Sequence, residues 1–291
     1  MKVTIMTDVS QEVLDRCSRE LGTKVTKLDP KEADVQIIYR NFEITPSLKL
    51  IQTISAGVDH LNFHKIPENV LVCSNAGAFA EPVAEHAMAM LLSWKKKICG
   101  FHNMTQSGVY RKEPVSTILG KTVGIIGHGG IGRSFARMAK GFGMRVIAYT
   151  RTPREDTSVD RFVNSLEEVV SLSDIILISL PLTRQTRGII NGKLLGNFRG
   201  DTIINVGRAD VVNRQDMLAF LENRPDAAYL TDVWWDEPNV KFPIPRNVML
   251  TPHVGGISKE LEGMAIMKAV ENVKRYMEGR PGNVVNRSEY L

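Results

Sequence analysis

Two hydrophobic periods alternate along the chain. Short runs that alternate every second residue, or that are apolar throughout, predict strands; apolar residues three and four apart predict helices. Lys2–Thr7 reads as a strand, with Val3 and Ile5 flanking Thr4, and Gln11–Leu21 as an amphipathic helix. Val35–Tyr39, Leu50–Ile54 and Asn69–Cys73 are further strands, the second of them stopped by Ser55-Ala56-Gly57. Glu81–Lys97 is a long helix with Pro82 in its first turn, where proline is tolerated.

After Gly120 the pattern restarts. Lys121–Gly127 predicts a strand, Gly132–Gly141 a helix and Met144–Tyr149 a strand. Leu166–Ser171 is helical, and Ile175–Leu180 is an apolar strand stopped by Pro181. Asp201–Val206, Ala228–Asp232 and Val248–Thr251 are strands. Ser258–Glu278 is a helix that Ser258 can cap and Gly279 can end. Its Ile266, Val270, Val273 and Met277 share one face. Strands alternating with helices imply parallel sheets covered on both faces. Two such series within 291 residues imply two domains.

Composition narrows the class. The chain is 43% hydrophobic and 24% charged, which excludes disordered and fibrous proteins. No run approaches the ~18 apolar residues of a membrane span. The amino-terminal residues read as a strand and not as a signal peptide. Cys17, Cys73 and Cys99 lack metal-ligand or redox spacing, so no metal is expected and the thiols fit a reducing cytoplasm. The net charge is +5, with 37 cations and 32 anions interleaved. The compact basic run Lys95-Lys96-Lys97 reads as a solvated helix end, so neither nucleic acid nor membrane is an expected partner. Anionic small molecules suit such a balance.

The strongest local signal is Gly127-His128-Gly129-Gly130-Ile131-Gly132, a G-x-G-x-x-G between a predicted strand and a predicted helix. The first glycine permits the tight turn, the second lets backbone approach a pyrophosphate, and the third lets helix and strand pack closely. The helix N-terminus then faces the anion. The following strand ends at Tyr149, where an NAD site usually places an acid on the ribose, about 20 residues on. Here stand Thr150, Arg151 and Thr152, then Pro153 and Arg154, with no carboxylate before Glu155. The planar fork of Arg151 suits a 2′-phosphate, so NADP is expected in preference to NAD.

Three more segments place polar residues just after strands: Asn205-Val206-Gly207-Arg208, Asp232 through Glu237-Pro238, and Thr251-Pro252-His253. In open α/β sheets, ligands sit beyond the carboxyl ends of strands. Singly, Arg208 reads as a surface ion-pair residue, Glu237 as a turn residue and His253 as a core histidine. As an ordered set beside a dinucleotide turn they point to chemistry.

The order of these segments resembles the D-isomer-specific 2-hydroxyacid dehydrogenase family. Ser55-Ala56-Gly57-Val58-Asp59, Val83-Ala84-Glu85-His86 and Leu180-Pro181-Leu182-Thr183 extend the match over nearly the whole chain. The resemblance implies two flavodoxin-like (Rossmann) α/β domains, with the cofactor domain inserted into the substrate domain. The boundaries expected here are 1–91 with 259–291 for the substrate domain and 92–258 for the cofactor domain.

The resemblance also implies roles. His253 would be the proton donor, Glu237 its orienting partner, and Arg208 the grip on the substrate carboxylate, aided by the amides of Ala56, Gly57 and Val58. Cofactor contacts would come from Gly127, Gly129, Gly130, Ile131, Gly132, Thr150, Arg151, Thr152, Leu180, Pro181, Thr186, Val206 and Asp232. Thr186 would meet a phosphate and Asp232 the nicotinamide amide. His86 would pack on the hinge helix, and for His128 the backbone would matter more than the ring. Ala209-Asp210 departs from the glycines the family often has after the arginine.

Ile54 through Leu61 is similar to the glyoxylate and hydroxypyruvate reductase branch of the family, and this resemblance implies reduction of a small 2-keto acid, glyoxylate or hydroxypyruvate, the activity of a glycerate dehydrogenase. A homodimer is expected by resemblance. Trp94, Phe101 and Tyr110 would supply its aromatic area. A short D-3-phosphoglycerate dehydrogenase is the alternative within the class, since no regulatory domain is expected before Leu291. A dinucleotide-sensing, corepressor-like binding protein is the alternative outside it, distinguished by an added peptide-binding segment.

Overall fold

The computed structural model describes residues 1–153, 155–258 and 263–291. The chain forms two compact units, Met1–Phe79 with Ile257–Leu291, and Ala80–Gly256.

The first unit carries β1 (Val3–Ile5), α1 (Gln11–Leu21), β2 (Val25–Lys27), β3 (Val35–Ile38), β4 (Leu50–Thr53) and β5 (Leu71–Cys73). Its sheet has the order β2-β1-β3-β4-β5, and every pairing is parallel. That is the flavodoxin-like order. Helix α1 starts where the Ser10 side chain accepts from the Val13 amide and ends at Gly22, whose φ of +63° suits glycine. Helix α8 (Met264–Met277) returns from the far end of the chain to close this unit's core. Its Ala269, Val270 and Val273 join Val3, Ile5, Leu14, Cys17 and Val35, with Ile266 and Met277 packed at the margin. The expected apolar face of this helix is therefore the face that is used. Residues 259–262, over which the helix was expected to begin, lie outside the described residues.

The second unit carries α2 (Ala80–Lys95), α3 (Ile98–Gln106), β6 (Thr122–Ile126), α4 (Gly130–Gly141), β7 (Arg145–Tyr149) and β8 (Arg161–Phe162). It continues with α5 (Leu166–Ser171), β9 (Ile175–Ile178), α6 (Gly192–Leu195), β10 (Thr202–Asn205), α7 (Arg214–Asn223), β11 (Ala228–Thr231) and β12 (Val248–Leu250). The sheet order is β12-β11-β10-β9-β6-β7-β8, again all parallel. The chain starts in the middle and winds outward both ways, which puts the switch point between β6 and β9.

Both faces of this sheet are buried, so the middles of its inner strands are apolar. Val123, Ile125, Ile175, Leu177, Ile204 and Leu230 face one core. Ile126, Ile176, Ile178, Ile203 and Tyr229 face the other. The unit boundary falls at Phe79–Ala80 rather than within the helix that follows. Ala84, Ala87, Met88 and Leu91 of α2 share one core with Phe135, Ala136 and Ala139 of α4, which ties α2 to the second unit. Five elements had no sequence expectation: β2, β8, α3, α6 and α7. The last is capped by Asn213, whose side chain accepts from the Asp216 amide.

A methyl group on Gly132 would lie 2.3 Å from the Gly127 carbonyl oxygen and 3.0 Å from Ile125. This glycine is therefore what lets α4 sit against the end of β6. A methyl on Gly129 would meet nothing within 4 Å. Gly132→Ala should destabilise the protein by about 1–3 kcal/mol through overpacking. Gly129→Ala should melt with the wild type. Calorimetry on the two variants checks this, and equal midpoints for both would show that α4 shifts without strain.

Candidate active site

Parallel pairing builds the site before any side chain does. The register aligns Tyr149, Ile126, Ile178, Asn205, Thr231 and Leu250 in one row across six strands. The residues that follow these leave the sheet on the same edge.

Beyond β6, Gly127 turns with φ +99° and donates its amide to the Tyr149 carbonyl, 2.9 Å away. The Ser179 hydroxyl donates to the Gly127 carbonyl at 2.7 Å. Gly130, Ile131 and Gly132 open α4, and the open space over Gly129 is what close approach of a pyrophosphate needs. Next to this turn is a cavity of about 230 Å³ lined by His128, Gly129, Arg133, Thr152, Glu155 and Asp156. The glycine turn, the helix N-terminus and the cavity together fit a dinucleotide.

The His128 ring has a larger part than expected. Its side chain is 2% exposed, its Nε2 meets Asp156 Oδ2 at 2.9 Å, and it sits edge-on to Phe162. Burial pushes its pKa down, against the opposing pull of Asp156. Arg133 was not singled out in the sequence, although a base one residue past the third glycine was a usable signal. Thr150, Arg151 and Thr152 follow β7, with Arg151 and Thr152 exposed. Arg154 lies outside the described residues. Leu180 packs against the second core of this unit, and Val206 is buried. The Thr186 hydroxyl donates to the Pro181 carbonyl at 2.7 Å and accepts from the Thr183 amide at 2.8 Å, so it braces its own turn.

Beyond β10, the fully buried Asn205 shapes the arginine turn. Its amide nitrogen donates to the Arg208 carbonyl (3.1 Å) and to the Tyr229 hydroxyl (3.0 Å), and its oxygen accepts from Gly207 N (3.0 Å). A side chain at Gly207 would strike the Leu180 carbonyl, 2.6 Å from the methyl position. After Arg208, Ala209–Val211 forms a short 3₁₀ turn in which Asp210 pairs with Arg187.

Beyond β11, Trp234 and Trp235 pack edge to face, with ring centroids 4.9 Å apart. Trp235 also stacks on Tyr229, and its indole N–H donates to Val212 O at 3.1 Å. This aromatic base carries the turn that presents Glu237. Beyond β12, Thr251 and Pro252 lead to His253, whose φ of +56° is strained for a non-glycine residue.

The turns after β11 and β12 meet where His253 Nδ1 lies 2.8 Å from Glu237 Oε1. The hydrogen bond to Glu237 raises the His253 pKa, opposed by burial, and the carboxylate charge raises it further. Burial pushes Glu237 up, but the hydrogen bond and charge of His253 outweigh it and leave the carboxyl below its usual range. The Arg208 charge acts on both, lowering each. The structure thus brings Glu237 and His253 into contact, with the charge of Arg208 bearing on both. Asp232, 3% exposed, lies beside them and binds the backbone after His253.

Ala56, Gly57 and Val58 belong to the first unit, just past β4. Ser55 Oγ donates to Gly57 O at 2.8 Å, and the Val58 side chain is buried in that unit's core. Among the described residues, no group of three or more His, Cys, Asp or Glu is arranged to hold a metal ion, and no helix is long and apolar enough to cross a membrane.

Residues 88–255 match the family model described as D-isomer specific 2-hydroxyacid dehydrogenase, NAD binding domain. The chain is 30% identical to the glyoxylate reductase of Pyrococcus horikoshii over 299 residues, covering 96% of this chain and 87% of that one. It is 43% identical to a solved glycerate dehydrogenase related protein from Thermoplasma acidophilum, with a TM-score of 0.73 over 95% of this chain and 100% of that one. A D-isomer specific 2-hydroxyacid dehydrogenase from Xanthobacter autotrophicus Py2, solved with NADPH and MES, is 25% identical with a TM-score of 0.83, covering 100% of this chain and 99% of that one. With its dinucleotide turn and its strand-end residues in this order, the chain belongs to the D-isomer specific 2-hydroxyacid dehydrogenase family, oxidoreductases that use a nicotinamide dinucleotide.

Proposed function

We propose that this protein reduces glyoxylate or hydroxypyruvate to the corresponding D-2-hydroxy acid, with His253 as proton donor. The observation that carries the reading is the 2.8 Å contact between His253 Nδ1 and Glu237 Oε1, under the charge of Arg208. The names of the P. horikoshii and T. acidophilum relatives supply the substrate class. When bound, the dinucleotide supplies a hydride to the keto carbon. Negative charge then develops on the carbonyl oxygen, and a proton must reach it. Glu237 occupies Nδ1, so Nε2 is the nitrogen left to donate. Arg208 holds the substrate carboxylate through two parallel N–H donors and polarises the carbonyl. Ala56, Gly57 and Val58 of the first unit stay candidates for substrate binding. For Val58 only the amide is available, because its side chain is core.

A panel of keto acids assayed at 340 nm with each dinucleotide tests the reading; turnover of neither glyoxylate nor hydroxypyruvate would overturn it. His253→Ala should lower turnover ~10²–10⁴-fold, as expected on losing a positioned acid. Because Glu237 raises the His253 pKa, the protonated donor persists to higher pH, and reduction slows as pH rises through that raised value. Glu237→Gln removes the carboxylate, so this basic limb should move to lower pH. An unmoved limb would show that Glu237 does not govern the donor.

We infer that NADPH is the preferred cofactor. Thr150 stands where an acid would repel a 2′-phosphate, Arg151 follows it, and Arg133 and Thr152 line the adjoining cavity together with the carboxylates of Glu155 and Asp156. Asp156 Oδ2 already faces His128 and Oδ1 accepts from the Ser158 amide, so much of its accepting capacity is taken. A guanidinium on a phosphate should contribute ~1.5–3 kcal/mol, or about one to two decades in affinity. Arg151→Ala should weaken NADPH and leave NADH nearly unchanged, as read from both Michaelis constants. Wild-type use of NADH as good as NADPH at low salt would reverse the assignment.

We also infer a cytoplasmic homodimer. Cys99 is an exposed free thiol, which suits a reducing compartment. Helix α3 buries none of its residues, and Ile98, Tyr110 and Leu119 nearby are exposed, Tyr110 by 85%. Trp94, in contrast, packs partly into its own unit. Sedimentation should show a dimer; a stable 32.4 kDa species at micromolar concentration would overturn this.

A further inference from the structure

His253 holds a backbone conformation that it would not choose alone, and the structure shows what imposes it. Asp232 Oδ1 accepts from the Val254 amide at 2.9 Å and Oδ2 from the Gly255 amide at 2.8 Å. These are the two peptide groups that follow His253. A methyl on Gly255 would lie 2.9 Å from Asp232 Oδ2 and 3.3 Å from the His86 ring, so the close approach needs glycine. Asp232 is itself held. The Thr251 hydroxyl lies 2.6 Å from Asp232 Oδ1 and donates to it, since a carboxylate only accepts. The hydroxyl oxygen then accepts from His86 Nε2–H at 2.9 Å. His86 Nε2 is also 3.5 Å from Asp232 Oδ1.

A buried carboxylate needs its oxygens satisfied. Here one carboxylate has two backbone donors on the His253 turn and one hydroxyl donor backed by a histidine on α2. A turn with three fixed donors around one anion has little freedom to rotate.

We propose that His86 and Thr251 are positioning residues for His253, acting through the Asp232 carboxylate. This rests on His253 being the proton donor. The chain of contacts fixes the imidazole against Glu237 and aims Nε2. It also accounts for the burial of the Asp232 side chain: three donors of this turn reach its two oxygens. The groups whose charge bears on the ring are Glu237, Arg208 and Asp232.

The test uses the full chain with Thr251→Val, Thr251→Ser and His86→Ala. Thr251→Val keeps the shape and removes the hydroxyl. It should lower kcat ~10- to 100-fold, the scale of a misplaced catalytic group, with little change in dinucleotide affinity. Thr251→Ser should restore most of the loss. His86→Ala, at a partly exposed position, should give a smaller loss of the same kind. The His253 ring, followed by NMR titration, should move to a lower pKa in Thr251→Val and His86→Ala as its contact with Glu237 loosens, and return in Thr251→Ser. General destabilisation would not move that titration. Wild-type kcat and titration in both Thr251→Val and His86→Ala would overturn the proposal, as would an equal loss in the serine and valine variants. The His253→Ala result stands apart: retained turnover there would remove the donor assignment, while the ring titration would still decide whether these residues position it.

Discussion

Parallel strand register is the constraint on which the rest of the second unit depends. In a parallel sheet, every strand runs the same way, so every carboxyl end opens onto one edge. Here six strands end within one hydrogen-bonded row, Tyr149, Ile126, Ile178, Asn205, Thr231 and Leu250. The glycine turn therefore leaves the sheet beside the three turns that carry Arg208, Glu237 and His253. A slip of one residue in any of these strands would exchange the side chains that fit its two cores and displace its turn together with them. The apolar cores on both faces thus fix the geometry of the edge from which the site turns emerge.

Close contacts at that edge demand particular residues. Gly132 lets α4 meet the β6 turn, Gly207 clears the Leu180 carbonyl, and Gly255 clears Asp232. Buried polar groups do the complementary work. Asn205 uses its donor and acceptor atoms together to form the turn before Arg208. Thr231 bridges β10 and the Trp234 turn by bonding the Asn205 and Val233 carbonyls. Leaving any of these groups unpaired would cost on the order of 1–3 kcal/mol, so the turns hold their shape.

Much of this was legible in the sequence, for physical reasons that differ by element. The strands of the second sheet are buried on both faces and read as continuous apolar runs, so Ile175–Leu180 and Val123–Ile126 were plain. The α8 face was plain because its apolar residues recur every three and four positions. Edge strands such as Val25–Lys27 and Arg161–Phe162 carry too few residues for any period to register. Helix α3 was missed because it buries none of its residues, and a helix without a buried face has no apolar stripe. The ordered strand-end residues of the site were visible, but their supports were not. His86 and Thr251 are 165 positions apart in the chain, and local spacing cannot join them. The same holds for His128 and Asp156, which meet only because the β6 turn and the loop after β7 emerge from neighbouring strands.

The electrostatics of the site show which neighbour governs His253. Arg208 and burial both push the imidazole toward its neutral form, while Glu237 pulls it toward the charged one and wins. It wins because the carboxylate is in direct hydrogen-bond contact, whereas Arg208 acts by charge alone. A substrate carboxylate held by Arg208 would bring a compensating negative charge and weaken the opposing influence. On the reading proposed above, binding the acid substrate would itself favour the protonated donor, at the moment when the carbonyl oxygen needs a proton. A substrate without a carboxylate would lack both the grip and this charge effect. Selectivity for 2-keto acids would then arise from the same guanidinium twice, once as a contact and once through its influence on the neighbouring histidine.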